Sequence, residues 1–202
     1  MKQPASPIHR SADQRAPQDD DCRWLDAAHR GDIAAFERLF RSFAADLVAF
    51  ATTYVDGDDE AEEVVHVVFC WLWDHRFTLE RPKSARSYLF AAVRNRALNV
   101  VRDKRTEAAF RERAARAAHV AAETAPSPES ELASRDIAHA LALALREMPP
   151  RCREVYTMVR DHGLTYAEVA DALGIAPKTV EIHMSRSLAI LRQRLAPWLT
   201  AG

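Results

Sequence analysis

Residues 178–186 place Lys178, Thr179, Glu181, Ile182, Ser185 and Arg186 on one side of an amphipathic stretch. Lysine and arginine can meet phosphates or guanine edges, and hydroxyls can fix the register of a nucleic-acid backbone. Such a cluster at the start of a helix, with an apolar stripe behind it, has the layout of a base-reading surface. Two other charged segments stand apart from it. Residues 56–63 are acidic and residues 94–116 are rich in arginine, which predicts two surfaces with different partners. A third candidate is His66 with Cys70, four apart on one helix face and so able to ligate a metal. No further spaced pair of ligands completes such a site, and core packing is the stronger reading. There is no phosphate-binding glycine loop and no nucleophile–base arrangement, so no enzyme, cofactor or metal is expected.

The first cluster needs an element to hold it, and the sequence around it reads as a helix-turn-helix. Thr165 with Glu168 has capping-box spacing at the start of a short helix whose apolar face is Val169, Ala170 and Leu173. Gly174 permits a tight turn and Ile175 can plug the gap beside it. Pro177 suits the first helical turn, where its missing N–H has no partner to lose. Ala176 is a poorer cap than Ser or Thr would be. The second helix turns Val180, Met184, Leu188, Leu191 and Leu195 inward, leaving the 178–186 cluster free to enter a major groove.

Composition sets the wider frame. Of 202 residues 48% are apolar and only 5 are glycine, and no run of alternating β-branched residues requires a strand. The fold class is all-α. A net charge of −1 means that the chain as a whole is not a basic nucleic-acid binder. Cys22, Cys70 and Cys152 lie far apart without a CxxC, which fits a reducing cytoplasm better than a disulfide scaffold. No apolar run approaches the roughly 20 residues needed to span a bilayer, and no secretory leader is evident.

Two small helical domains joined by a flexible linker are predicted. Residues 1–20 read as a disordered tail. The first domain covers 21–106. In it a short helix bearing Trp24, Leu25 and Ala28 ends near Gly31, and Asp32 caps a helix with the stripe Ile33, Phe36, Leu39, Phe40, Phe43, Leu47 and Phe50. Asp59 with Glu62 is read as the cap of a third helix running to about Asp74, with Val64, Val65, Val68, Phe69 and Leu72 inward. After a loop over 75–83, Ser84 caps a helix carrying Tyr88, Leu89, Ala92, Val93, Ala97, Leu98 and Val101. The linker is placed at 107–131, around Ala125-Pro126-Ser127-Pro128. The second domain covers 132–199. It opens with a helix bearing Leu132, Ile137, Leu141 and Leu145, followed by one with Val155, Met158 and Val159 inward and Gly163 past its end.

Three stretches carry a family resemblance. Residues 61–69, Ala-Glu-Glu-Val-Val-His-Val-Val-Phe, resemble the acidic core-binding helix of sigma region 2. Ser87-Tyr88-Leu89 with 92–102 is similar to the helix of that region that reads the minus-ten element. Residues 145–155 and 163–195 are similar to sigma region 4. Three motifs in order, over about 21–106 and 132–196, are more specific than any one alone. The short chain, with no large segment between the domains, resembles the extracytoplasmic-function sigma factors rather than housekeeping ones. His66 stands where the family usually has glutamine, and Asn99 where aspartate is common.

The resemblance implies a division of labour. Glu62, Glu63, His66 and Phe69 would meet the clamp of RNA polymerase core. Phe77, Tyr88 and Asn95 would handle the minus-ten element, with Lys83, Arg86, Arg94 and Arg96 near phosphates. Trp71 and Trp73 would be structural or at an interface. Lys178, Thr179, Glu181, Ile182, Ser185 and Arg186 would read the minus-thirty-five duplex. Polymerase core, promoter DNA and an anti-sigma factor are the implied partners, in the cytoplasm and without membrane insertion. The competing reading is a regulator that uses the helix-turn-helix alone.

Overall fold

The computed structural model describes residues 15–79, 82–116 and 134–199, and its regular structure there is entirely helical. Four helices form the N-terminal unit: α1 Arg15–His29, α2 Ile33–Ala51, α3 Asp58–Asp74 and α4 Ala85–Arg116. Four more form the C-terminal unit: α5 Ser134–Glu147, α6 Pro150–Arg160, α7 Tyr166–Leu173 and α8 Pro177–Leu199. Two expected boundaries move. Helix α1 begins inside the expected tail 1–20, and α4 runs on into the expected linker 107–131. The prolines of that linker, and Leu132, lie outside the described residues.

Side-chain capping fixes the starts of α2 and α4. The Asp32 carboxylate accepts from Ala35 N at 3.0 Å, and the Ser84 hydroxyl accepts from Ser87 N at 3.2 Å. Helix α3 departs from expectation. Gly57, at φ 91°, holds the cap position and makes no side-chain bond, while Asp58, Asp59 and Glu60 sit in the first turn. Their charges favour the positive end of the helix without an Asp59–Glu62 box.

The stripe of α2 buries Leu39, Phe43, Leu47 and Phe50 against Val64, Val65, Val68, Phe69 and Leu72 of α3 and Leu89, Phe90, Val93 and Ala97 of α4. Ile33 and Phe40, expected in that stripe, are 62% and 38% exposed. In the C-terminal unit Val155, Met158, Val169, Val180 and Met184 form the centre. Ala144 and Met148 fill the α5 contact, with Leu141 and Leu145 only half-buried beside them. The two units are not separate cores: one continuous apolar cluster runs from Leu25 through Ala97 to Val155 and Met184. Helix α4 accordingly packs on α7 as well as on α1, α2 and α3.

Candidate functional site

The helix-turn-helix is built as its sequence predicts. The Thr165 hydroxyl accepts from Glu168 N at 3.2 Å, and Glu168 Oε2 accepts from Thr165 N at 2.9 Å. Gly174 turns the chain at φ 64°, and Pro177 opens α8. Val180, Met184 and Leu191 are buried behind α8, while Leu188 and Leu195 are half-buried. Ser187 adds an unexpected anchor. It is fully buried, and its hydroxyl proton is shared between the carbonyls of Cys152 at 2.9 Å and His183 at 2.8 Å. This pins α8 to α6 at one rotation. The opposite side then presents Lys178, Glu181, Ile182, Ser185 and Arg186 to solvent, with Thr179 half-buried. Lys178 and Glu181 pair at 2.6 Å. Ile182 is 58% exposed, an apolar contact suited to a thymine methyl group.

On α3, Glu62, Glu63 and His66 are exposed along a groove of about 960 Å³ whose floor includes Phe40, Ala45 and Val48 of α2. An apolar floor with an acidic rim is suited to a basic amphipathic partner. Phe69 does not stand on this face. It is 3% exposed, with Phe36 and Phe40 edge-on at 5.8 and 4.9 Å, so it supports the groove from within. Cys70 Sγ lies 3.5 Å from His66 Nε2, and the described residues hold no group of three metal-ligating side chains.

The expected minus-ten residues fall into two sets. Asn95 and Lys83 are exposed, and Phe77 is 69% exposed, its ring against Gly31 and under the Arg76 guanidinium. Tyr88 is half-buried, and burial pushes its phenol up. Arg96 is half-buried with Nε unpartnered. The other two arginines are not free for phosphates. Arg86 donates to the His162 carbonyl and pairs with Asp46 at 3.3 Å; Arg94 Nε donates to Glu154 Oε1 at 2.5 Å. Trp71 and Trp73 differ from each other. Trp73 packs on Phe36, whereas Trp71 is 46% exposed and stacked on His75 at 4.5 Å.

Sequence reasoning missed the residues that bring the two units together. Glu154 accepts from Arg94, from Tyr54 at 2.7 Å and from Arg151 at 2.8 Å. Burial alone would raise its carboxyl, but these hydrogen bonds outweigh it and hold Glu154 below the usual carboxylate range. Burial and the facing carboxylate push the Tyr54 phenol upward. Glu168 Oε1 accepts from Ser84 at 2.9 Å. No local periodicity signals contacts between positions so far apart in the chain.

Comparison with known proteins places these surfaces in a family. Residues 39–107 match the model of Sigma-70 region 2, and residues 138–191 match that of Sigma-70, region 4. The chain is 26% identical over 178 residues to the ECF RNA polymerase sigma factor SigL of Mycobacterium tuberculosis, covering 85% of this chain and 94% of SigL. It is 25% identical over 171 residues to the probable RNA polymerase sigma factor RfaY of Xanthomonas campestris pv. campestris, covering 85% of this chain but 43% of RfaY. In fold it resembles CnrH, solved in complex with the cytosolic domain of CnrY, with a TM-score of 0.63 and 22% identity over 89% of this chain and 99% of CnrH. It also resembles the sigma factor RpoE of Bartonella quintana, solved with the anti-sigma factor NepR, with a TM-score of 0.60 and 21% identity over 81% of this chain and 98% of RpoE.

Proposed function

The chain belongs to the sigma-70 family, as an extracytoplasmic-function sigma factor, and from that premise we propose how its surfaces divide the work of directing RNA polymerase core to promoters. The observation that carries the reading is the pairing, on one chain, of a region 2 match over 39–107 with a region 4 match over 138–191 whose recognition helix faces solvent. A regulator using the helix-turn-helix alone has no need of the first unit.

The α2–α3 groove takes the clamp of the polymerase, with Glu62, Glu63 and His66 meeting cations on its rim and Phe69 bracing the floor. Neutral imidazole at His66 both donates and accepts, as glutamine would. Asn95 and Phe77 handle bases of the minus-ten element once they leave the duplex, since unstacked bases must be stacked or hydrogen-bonded elsewhere. Lys83 and Arg96 neutralise phosphates beside them, Arg86 and Arg94 can join them only once released from His162, Asp46 and Glu154, and Tyr88 offers part of its ring. Lys178, Thr179, Glu181, Ile182, Ser185 and Arg186 read the minus-thirty-five duplex in the major groove. The units are taken as 21–106 and 132–199, with α4 reaching into 107–131. The work is binding and positioning, without an enzymatic step by this chain. Among the described residues no helix is long and apolar enough to cross a membrane, and the reading places the protein with polymerase in the cytoplasm. An anti-sigma factor is the expected antagonist, by likeness in fold to RpoE, which was solved with the anti-sigma factor NepR.

The test is run-off transcription with purified bacterial core polymerase on pooled genomic promoters, with and without the protein. Discrete new transcripts, lost with Asn95→Ala while core binding persists, are expected. No transcript and no core binding would return the chain to the class of stand-alone regulators.

A further inference from the structure

Cys70 and His66 stand on the outer face of α3, and both are exposed. Free cysteine is among the residues most often buried, yet neither of these two belongs to the apolar cluster that α3 builds with α2 and α4. Four apart on a regular helix, their side chains meet, with Cys70 Sγ 3.5 Å from His66 Nε2. A tetrahedral ion bound at about 2.3 Å to a thiolate and about 2.0–2.1 Å to an imidazole nitrogen holds those two atoms about 3.5 Å apart. The helix therefore sets the pair at the bite of a chelate.

The same separation recurs between Cys152 Sγ and His183 Nδ1, so distance alone does not single out a site. The surroundings do. Cys152 is 1% exposed among Ala144, Met148 and Leu191, a packed apolar setting that excludes the waters an ion with two protein ligands must keep. His66 and Cys70 are open to solvent, with carboxylates along the same helix. Glu62 lies one turn before His66, with Glu63 beside it, and Asp74 lies one turn after Cys70; all three are exposed. Their charges attract a cation, and carboxylate oxygens are themselves ligands for zinc.

We propose that His66 and Cys70 chelate a divalent cation of the zinc class at the edge of the α2–α3 groove, and that the bound ion competes with polymerase core for this face. The described residues hold no third ligand already in place, so water or a swung carboxylate fills the remaining positions. Two fixed ligands make the binding weak and reversible, as a response to rising free zinc requires. On binding, the Cys70 thiol releases its proton to solvent and ligates as thiolate. His66 commits Nε2 to the ion and withdraws it from the groove. The ion also adds positive charge to the acidic rim that would meet cations of the clamp. The site stands on geometry, whereas its effect on core rests on the proposed function of the groove. Affinity for core should fall about 10-fold when free zinc is ten times the Kd of the site.

The experiment uses the purified full-length chain, with Co2+ as a spectroscopic probe and Zn2+ as its competitor, and then titrates core polymerase at buffered zinc concentrations. One equivalent of Co2+ should produce thiolate-to-cobalt charge-transfer absorption in the near ultraviolet, and Zn2+ should displace it. Cys70→Ser and His66→Gln should each remove that absorption, while Cys152→Ala keeps it. Zinc should weaken core binding by the wild type about 10-fold and leave Cys70→Ser unaffected. Absence of the absorption, or its survival in Cys70→Ser, would overturn the site. Equal weakening of wild type and Cys70→Ser would assign the zinc effect to the polymerase and overturn the competition. A wild type that binds Co2+ through both residues but fails to bind core without zinc would remove the polymerase reading, and the competition with it, while the chelate stands.

Discussion

At Gly174 the backbone must turn left-handed, at φ 64°, for α7 to hand over to α8. A Cβ added there would meet no heavy atom within 4 Å, so the demand is purely conformational. Gly174→Ala should therefore lower stability by about 1 kcal/mol, seen as a fall in Tm of about 2–4 °C. Gly174→Asn should recover much of this, because asparagine tolerates the left-handed region. A fall as large with Asn as with Ala would point to a crowding that the structure lacks. Thr165 carries a different burden, since its hydroxyl satisfies Glu168 N while Glu168 satisfies Thr165 N. Thr165→Ala should cost about 1 kcal/mol by thermal or urea unfolding. An unchanged midpoint would show that Ser84, which also bonds Glu168, is sufficient to hold that turn.

At the scale of single helices, α8 is where sequence and structure agree best, and the reason is locality. The capping box, the left-handed glycine and the N1 proline each act within four residues, so their spacing alone specifies the turn. Helix α3 shows the limit: Asp59 with Glu62 matched the capping spacing, but Gly57 took the cap and the acids serve the helix end by charge. Helix α4 shows another. Phe90, fully buried, lies outside the expected stripe because α4 is covered on more than one side, by α1, α2 and α3 and again by α7. A single-faced periodicity cannot describe that. The spacing of Phe69 turns it inward, as the structure has it; the resemblance implies a place on the polymerase face, and burial restricts it to support. The outward side of α8 leads to a salt-dependence test. In a polymerase complex on minus-thirty-five duplex, Arg186→Ala should reduce the slope of log K against log salt by about 0.9 if Arg186 meets one phosphate. Lys178→Ala should reduce it less, because Lys178 already neutralises Glu181 in the free protein. Equal slopes for wild type and Arg186→Ala would take Arg186 off the phosphate backbone.

At the scale of the whole molecule, the contact between the two units predicts a dependence of conformation on acidity. His162 is 7% exposed, and its Nδ1 is buried without a hydrogen-bond partner. Burial lowers its pKa; Asp46 of α2 and the adjacent Asp161 oppose that, and Arg86 of α4 adds to it, leaving the imidazole below its usual range. A histidine depressed where the two units pack stabilises that packing fully above its ordinary pKa of about 6.5, and loses that contribution as pH falls toward the lower value. Glu154, also held low, keeps its contribution until pH falls below the ordinary carboxylate range. Both signs agree, and His162 acts first. Between pH 7.5 and 5.5 the free chain should therefore expand in small-angle scattering while its helical circular dichroism persists. His162→Phe keeps an aromatic ring between Phe50 and Phe90 but cannot take up a proton, so it should remain compact over that range. Expansion of the variant in step with the wild type would assign the response to other groups, and a wild-type radius unchanged to pH 5.5 would show that proton uptake at His162 does not separate the two units.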